Sequence, residues 1–482
     1  MNTEKPKSEK RASVDCGAKW QRINWTIVEL KVNRLQSRIA KAAREGRFNL
    51  LKVLQYLLTK SYYAKLLAVK KVISNKGSKT PGVDDEIWNS DKKRYQGATN
   101  LNNKGYKAKP LRRTYLKKPN GKLRPLGIPT MNDRAMQALH ALALDPVAES
   151  ILSTKAFGFR KYRGCQDAQS YLFKCLGQKG SGTWVLEGDI KGCFDHISHQ
   201  WLIDNIPMNK KILRQFLKAG FVYKKDLYPT REGTPQGGII SPILANMTLN
   251  GLAEMLAKKY SVNASGNISR NANKHRIHAN VYADDFIITA NNEEILHQVK
   301  QDIEEFLRVR GLELSESKTL ITHIHDGFDF LGWNFRKFKT KLIITPSKKS
   351  VKRICKKIRE TVRKNLMQKQ DVLIKELNAI IRGWCNYHKS SCAKQEFQTI
   401  DRYVFYCLWG WAKRRHSNKS NQWRKNRYFH REGTRDWIFR TEKVKLIFAS
   451  DFKIKRHILI KFEAHPYLRE YDEYYSKRRV AC

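Results

Sequence analysis

The stretch Val281-Tyr282-Ala283-Asp284-Asp285-Phe286-Ile287-Ile288 is the most informative part of the sequence. Two adjacent carboxylates lie between short apolar runs, a pattern that predicts two strands joined by a tight turn. Adjacent acids within one strand would point to opposite faces, whereas at a hairpin turn both can approach one cation. Because burying a carboxylate pair without a counter-charge is costly, a divalent metal is the natural partner. Taken alone, the same residues describe an ordinary surface turn equally well.

A third carboxylate ends an earlier apolar run. The residues Trp184–Ile190 predict a strand in which Asp189 comes last before a polar segment, where its side chain can face a cleft. Three carboxylates from two strands can hold two Mg²⁺ ions. Asp189, Asp284 and Asp285 are therefore the candidate catalytic and metal-binding residues, whereas Asp195 is more typical of a turn or a helix cap.

A glycine-rich segment over Gly233–Pro242 separates the two acidic segments. Its three glycines allow the backbone to approach a ligand closely. Gln236, in the middle of the segment, offers both a hydrogen-bond donor and an acceptor. By itself such a loop is weak evidence for a ligand site. Its position between the two acidic segments strengthens that interpretation.

Strands and helices interleave through the middle of the chain, which indicates an α+β fold. Tyr115–Ile128 predicts a hairpin with a basic turn, and Glu294–Val309 predicts a helix. Near the N terminus, Thr26 with Glu29 forms a possible capping box for a basic helix.

The charge of the chain predicts a polyanionic partner. Its 482 residues include 94 Lys and Arg against 44 Asp and Glu, a net charge of +50, which phosphates would offset. No apolar stretch is long enough to span a bilayer, so we expect no membrane partner, and no apolar segment near the N terminus indicates a signal peptide. The nine cysteines form no C-x-x-C pair, which favours a reducing cytosol over a zinc ribbon or a disulfide framework.

The last third of the chain is basic, helical and rich in aromatic residues. An apolar stripe at helical spacing begins at Val351, and residues 341–482 carry 36 basic against 13 acidic side chains, a net +23. Trp and Tyr residues interleave with these charges, as in proteins that bind structured or single-stranded RNA. Packing in a core explains part of the aromatic content equally well.

The order of these segments resembles the group II intron-encoded reverse transcriptase/maturase family from about residue 20 to about residue 475. The matching blocks are, in chain order, Leu67-Ala68-Val69, Asn75-Lys76-Gly77, Thr80 to Asp84, Arg124 to Thr130, Asp133-Arg134, Phe157 to Arg160, Asp167-Ala168, Gly188 to Gly192, Gly233 to Gly238, Tyr282 to Asp285, Leu314-Ser315, Lys318-Thr319, Phe330 to Gly332, Arg382-Gly383-Trp384 and Arg414-Arg415-His416.

This resemblance implies a right-hand polymerase with fingers and palm, followed by an α-helical thumb (maturase domain X) and a small basic C-terminal DNA-binding region. We expect an N-terminal basic helical, RNA-binding block over 1–95, fingers and palm over 96–345, the thumb over 346–430 and the DNA-binding region over 431–482. Many relatives carry an HNH nuclease beyond this point, and we expect none here.

The resemblance also implies residue roles. Asp189, Asp284 and Asp285 match the catalytic metal ligands, whose two Mg²⁺ ions activate the primer 3′-hydroxyl and steady the pyrophosphate. Five further residues match those that contact the incoming nucleotide, and Phe194 among them is expected to exclude a 2′-hydroxyl: Lys118, Arg124, Phe194, Gln236 and Lys318. The primer grip matches Phe330, Leu331 and Gly332. Cys193 departs from the family, which commonly has an aromatic residue there.

The implied activity is RNA-directed DNA synthesis together with assistance to intron splicing, in the bacterial cytoplasm near the nucleoid. The expected partners are group II intron RNA, an RNA template with a DNA primer, dNTPs and target DNA. Two alternatives stay open at this stage. One is a domesticated or defence-associated bacterial reverse transcriptase, and the other is an RNA-binding maturase without polymerase activity.

Overall fold

A computed structural model describes residues 16–117, 121–269 and 271–481 of the chain. The α-helices are α1 Cys16–Gln21, α2 Trp25–Arg44, α3 Phe48–Lys60, α4 Tyr62–Ile73, α5 Asp91–Asn100, α6 Met131–Ile151, α7 Cys165–Leu176, α8 Cys193–His196, α9 His199–Asn205, α10 Lys210–Leu217, α11 Ser241–Thr248, α12 Leu252–Tyr260, α13 Glu293–Arg308, α14 Lys348–Lys364, α15 Gln370–His388, α16 Lys394–Arg415, α17 Asn421–Tyr428 and α18 Asp472–Ala481.

The strands of the described residues form four small sheets. They are β1 Leu111–Lys117, β2 Leu123–Ile128, β3 Trp184–Asp189, β4 Phe221–Tyr223, β5 Asp226–Tyr228, β6 His278–Tyr282, β7 Asp285–Ala290, β8 Leu320–His323, β9 Phe328–Phe330, β10 Trp333–Phe338, β11 Lys341–Pro346, β12 Phe429–Glu432 and β13 Arg435–Phe439. The sheet orders are β2-β1-β4-β5, β6-β7-β3-β8, β11-β10-β9 and β12-β13.

The sheet β6-β7-β3-β8 carries the three candidate aspartates. β6 and β7 form the antiparallel hairpin that the apolar runs predict, and β3 pairs antiparallel with both β7 and β8. Helix α13 packs against the sheet through a buried face that includes Val299 and Ile303, close to the predicted bounds. The short apolar runs and the helical spacing of apolar residues thus predicted these elements correctly.

The sheet β2-β1-β4-β5 confirms the other predicted hairpin. β1 and β2 pair antiparallel from Arg112 with Ile128 to Lys117 with Leu123. Helix α6, most of whose residues are buried, follows β2 directly and packs against α2, α3, α4 and α11. The N-terminal helices, α6 and the sheet β6-β7-β3-β8 therefore share one apolar core.

The start of helix α2 differs from the sequence-based expectation. The cap is Asn24, whose side-chain oxygen accepts a hydrogen bond from the Ile27 amide at 3.1 Å, so the capping box predicted for Thr26 and Glu29 is wrong. Glu29 instead forms an ion pair with Lys70 of α4 at 2.9 Å. Asn serves as an N-cap as well as Thr does, so the pattern alone could not select between them.

Helices α14 to α17 and the β12-β13 hairpin surround a second apolar core. The predicted stripe of α14 supplies Ile354, Ile358 and Val362 to it, and α15 and α16 supply the facing side chains. Trp411 is fully buried in this core, and its indole donates to the Asn365 carbonyl at 3.0 Å. Some of the aromatic residues of this region therefore belong to an apolar core, as the second interpretation of the sequence predicted.

The segment after β13 returns to the first half of the chain. Ile460, Ala464 and Tyr475 are buried in a third apolar cluster with residues of α7, β3, β7 and β9 to β11. Asp167 of α7 anchors this segment, because its Oδ1 accepts from the Ile460 amide at 2.9 Å and from Arg478 at 2.6 Å. Among the described residues, no helix is long and apolar enough to cross a membrane.

Candidate active site

The hairpin turn between β6 and β7 places Asp284 and Asp285 at the edge of the sheet. Tyr282 and Asp285 are the last paired residues, and Ala283 and Asp284 form the two-residue turn. Ala283 has φ of 56°, a left-handed conformation that tight hairpin turns require. The backbone at Gly158 supports the turn so closely that a Cβ there would lie 2.4 Å from the Ala283 nitrogen.

Pairing of β3 with β7 brings Asp189 opposite Asp285, since the two residues are direct cross-strand partners. The preceding pair joins Gly188 to Phe286, whose ring lies over the glycine. A Cβ on Gly188 would lie 2.1 Å from the ring Cζ, so only glycine fits. The three carboxylates that the sequence selected are thus brought to one edge of one sheet.

The carboxylates repel one another in this arrangement. Removal from water, followed by repulsion from Asp284 and Asp189, raises the pKa of Asp285 to about 6. Burial and the Asp189 charge also raise the pKa of Asp284, which Arg124 and Lys318 partly offset. Water reaches Asp285 on its open side, whereas Asp189 and Asp284 are half-buried. Burial, followed by the charges of Asp284, Asp195 and Asp189, raises the pKa of the nearby Cys193 thiol to about 12.

Lys318 is the cation nearest to the carboxylates. Its ammonium donates to Asp189 Oδ2 at 2.7 Å. A short 3₁₀ turn over Glu316–Lys318 places it there, and the Ser315 amide fixes the turn by donating to the Asp189 carbonyl at 2.8 Å. The sequence predicted Lys318 as a residue near phosphates, and it lies at the aspartates.

The glycine-rich loop packs between β2 and α8. The Gly127 amide donates to the Gln236 carbonyl at 2.9 Å, and a Cβ on Gly233 would lie 2.4 Å from the Asp195 carbonyl oxygen. The Gln236 amide donates to both Asp195 oxygens, at 2.9 and 2.8 Å. The sequence did not predict this contact, because Asp195 is typical of a turn or a helix cap and Gln236 was expected to contact the incoming nucleotide. The signal available in the sequence was the position of Asp195, which directly follows Phe194, a candidate nucleotide-contacting residue.

Phe194 and Arg124 border the same region. Phe194 is half-buried, and its ring meets that of Phe159 edge-on with centroids 6.2 Å apart. Phe159 is exposed and has φ of 55°, a strained conformation for an aromatic residue. Arg124 is exposed on β2, and its charge lowers the pKa values of Asp284 and Asp195 against the effect of their burial. Lys118 lies outside the described residues.

Phe330, Leu331 and Gly332 join β9 to β10. Phe330 pairs with Trp333, and the two turn residues have φ values of 50° and 85°. The Tyr387 hydroxyl of α15 donates to the Leu331 carbonyl at 2.7 Å, and its ring stacks on Trp333 at 4.6 Å. The turn is therefore fixed by the helical region that follows it.

The donor set suits a divalent cation, although the described residues contain no group of three His, Cys, Asp or Glu side chains already arranged as a metal cluster. Asp189, Asp284 and Asp285 offer only oxygen ligands, which Mg²⁺ prefers. Burial, together with repulsion between the carboxylates, raises the pKa values of Asp284 and Asp285, and a bound cation would offset that repulsion.

Comparisons with known proteins agree with this geometry. The family described as "Reverse transcriptase (RNA-dependent DNA polymerase)" matches residues 116–335. The family described as "N-terminal domain of reverse transcriptase" matches residues 20–101, and "Group II intron, maturase-specific domain" matches residues 351–429. The chain thus carries a reverse transcriptase domain joined to a maturase domain.

Three individual relatives are similar to this chain over more than half of its length. "Group II intron-encoded protein LtrA" of Lactococcus lactis subsp. cremoris is 31% identical over 62% of this chain and 59% of its own. "Protein YkfC" of Escherichia coli (strain K12) is 30% identical over 62% of this chain and 87% of its own. The "Putative COX1/OXI3 intron 1 protein" of Saccharomyces cerevisiae is 28% identical over 67% of this chain and 44% of its own.

The chain belongs to the group II intron-encoded reverse transcriptase/maturase family. It spans about three fifths of the length of the Lactococcus relative that it matches.

Proposed function

We propose that this protein is an RNA-directed DNA polymerase that also binds a group II intron RNA and assists its splicing. The observation that carries the polymerase proposal is the cross-strand pair of Asp189 and Asp285, with Asp284 in the adjoining turn. Three carboxylates at one sheet edge, with a glycine-rich loop and Arg124 facing them, form a site for a divalent cation and a triphosphate.

Different side chains would have different roles in nucleotide transfer. Asp189, Asp284 and Asp285 would hold two Mg²⁺ ions, which supply Lewis acidity toward the primer hydroxyl and the triphosphate. Lys318 lies beside them and would bind the negative charge that develops on the phosphates. Arg124 would contact the triphosphate of the dNTP from the opposite sheet.

Three further elements would position the substrates. Phe194 would lie under the sugar and exclude a 2′-hydroxyl. Gln236, which is held by Asp195, would line the nucleotide site. The turn over Phe330–Gly332 would hold the primer strand, and its contact with Tyr387 would couple the primer to the helical region. Lys118 is proposed to bind the triphosphate on the basis of the family resemblance alone.

The remaining parts of the proposal concern the partners. The net charge of +50 supports binding to intron RNA, to an RNA template with its DNA primer and to target DNA. We also propose the right-hand arrangement of fingers, palm and thumb and a place near the bacterial nucleoid. The proposed domain limits lie after residues 95, 345 and 430.

The test is primer extension on an RNA template with Asp284→Asn, with Asp326→Asn as the matched control. Asp326 is an exposed loop carboxylate outside the site, so its loss should leave extension unchanged. Asp284→Asn should abolish Mg²⁺-dependent extension and keep RNA binding. Retained extension would overturn the site assignment. An inactive parent that still binds intron RNA would leave only the maturase role.

A further inference from the structure

A basic pocket opens between α14 and α16, away from the three aspartates. Its volume is about 270 Å³, and its lining includes three arginines, two tyrosines and a cysteine: Arg359, Arg363, Arg414, Tyr403, Tyr406 and Cys407. No carboxylate is among the described residues that line it. The neighbouring acid on α14, Glu360, is paired with Lys356 instead.

Three arginines from two helices line the same pocket. Arg359 donates to the Tyr403 hydroxyl at 2.8 Å, which fixes one side of the pocket. Arg414 lies against Gly410, where a Cβ would be 3.3 Å from its Nη1 atom. Burial raises the pKa of the Cys407 thiol, whereas the hydrogen bond with Tyr403 and the charges of Arg359, Arg414 and Arg363 oppose that rise, as expected for a thiol that lines one pocket with three arginines.

Three like charges around a concave site repel one another, and an anion offsets that cost. Guanidinium groups match phosphate oxygens in planar, bidentate geometry, which makes phosphate the ligand that fits best. Tyr406 at the rim is 70% exposed, so its ring is available for stacking on a base. An inorganic anion would use the arginines but not the ring.

We propose that this pocket binds a phosphodiester of single-stranded RNA, with the adjacent unstacked base lying on Tyr406. The inference rests on the proposed RNA-binding function and gives it a defined site. The arginines supply charge and hydrogen bonds to the phosphate, while the tyrosine adds affinity that does not depend on salt. The same phosphate chemistry occurs in a template–primer duplex, so both ligands belong in the test.

The first experiment measures binding of the full chain to a labelled single-stranded RNA oligonucleotide and to an RNA–DNA template–primer duplex across salt concentrations. Arg363→Gln with Arg414→Gln should weaken RNA binding about tenfold and lower the slope of log affinity against log salt by about one. Tyr406→Ala should weaken binding and leave the slope unchanged, and Tyr406→Phe should restore it. Lys357→Gln with Lys364→Gln, two exposed lysines of α14 that do not line the pocket, is the matched control.

The second experiment locates the ligand. Single-stranded RNA should protect Cys407 from alkylation, measured peptide by peptide, while the exposed Cys392 reacts as before. The double arginine variant should lose that protection. Protection by the duplex alone would transfer the site to template–primer phosphates and overturn the single-strand assignment.

Unprotected Cys407, with equal slopes for parent and variant, would overturn the site altogether. Primer extension by the Asp284→Asn variant is measured in a separate experiment. A negative result for the pocket therefore leaves the polymerase proposal standing, and a negative result for primer extension leaves the pocket proposal standing.

Discussion

The Lys318 ammonium lies 2.7 Å from Asp189 Oδ2, so a lysine from a 3₁₀ turn neutralises the end of a strand 129 residues earlier in the chain. Its charge also lowers the pKa values of Asp284 and Asp285, opposing the burial and repulsion that raise them. A divalent cation would therefore compete with Lys318 for Asp189, and a nucleotide phosphate would compete with Asp189 for Lys318.

Replacement of Lys318 by Met should therefore separate metal binding from nucleotide binding. Loss of one positive charge beside the carboxylates should tighten Mg²⁺ binding several-fold, because repulsion between lysine and metal disappears. The KM for dNTP should rise, since a phosphate contact is lost. Mg²⁺ and dNTP titrations of primer extension measure both effects. A lower KM for dNTP would contradict the proposed phosphate contact.

Gly188→Ala should disturb the site through packing alone. A Cβ would meet the Phe286 ring at 2.1 Å, so the ring or the strand must shift. We expect a loss of about 2 kcal/mol in the free energy of unfolding and a clear fall in primer extension, because the next residue pair is Asp189 with Asp285.

Gly180→Ala is the control for that experiment. A Cβ there meets nothing within 4 Å, so denaturant unfolding and extension should stay near those of the parent. Equal behaviour of the two variants would show that the glycine beneath Phe286 is not required for the strand pairing.

Phe194→Val should relax the choice between dNTPs and NTPs. A smaller side chain leaves room under the sugar for a 2′-hydroxyl, so the ratio of kcat/KM for dNTP over NTP should fall by about tenfold or more. Phe159→Leu removes the edge-on ring but not the proposed selecting residue, and it should keep the ratio. Unchanged selectivity in Phe194→Val would refute the proposed role.

Acid should release the C-terminal segment from Asp167. Burial opposes ionisation of this carboxyl, yet the hydrogen bond from His457 and the charge of Arg478 hold its pKa below the usual value. Because an unfolded Asp has a pKa of about 3.9, this contribution to stability is complete above about pH 5 and is lost as pH falls through the folded value. Thermal unfolding followed across acidic pH measures the loss.

Arg478→Met tests the same contact at neutral pH. The buried Asp167 would lose its closest cation, and we expect a cost of about 3 kcal/mol in the free energy of unfolding. The exposed Lys477→Met, one residue earlier, should cost little. Equal stability of both variants would mean that the contact between Arg478 and Asp167 does not stabilise the fold.

Periodicity predicted most of the elements because the side chains that make up each pattern are neighbours along the chain. The helix after Asn292 was predicted to within one residue, and the hairpins over Tyr115–Ile128 and Val281–Ile288 were predicted in the right place, although their first strands begin earlier, at Leu111 and His278. The cap of α2 was not, since Asn24 and Thr26 are equally suitable by type and the local backbone decides between them.

Contacts between segments that are distant in the chain could not be predicted from the sequence. Gln236 holds Asp195 across 41 residues, and Arg478 holds Asp167 across 311. Neither pair has a spacing that predicts contact. The expected basic C-terminal region likewise gave no sign that Ile460 and Tyr475 are buried against the first half of the chain.

The sequence by itself determined the candidate functional features: three aspartates at strand ends, a glycine-rich loop, and a basic, aromatic C-terminal third. Residue type and local periodicity suffice for that, because strand, turn and charge depend on neighbours. Only the tertiary structure decided that Asp189 faces Asp285, that Lys318 neutralises them, and that three arginines of α14 and α16 share one pocket. Those contacts depend on strand register and helix packing, which the burial of distant apolar faces fixes.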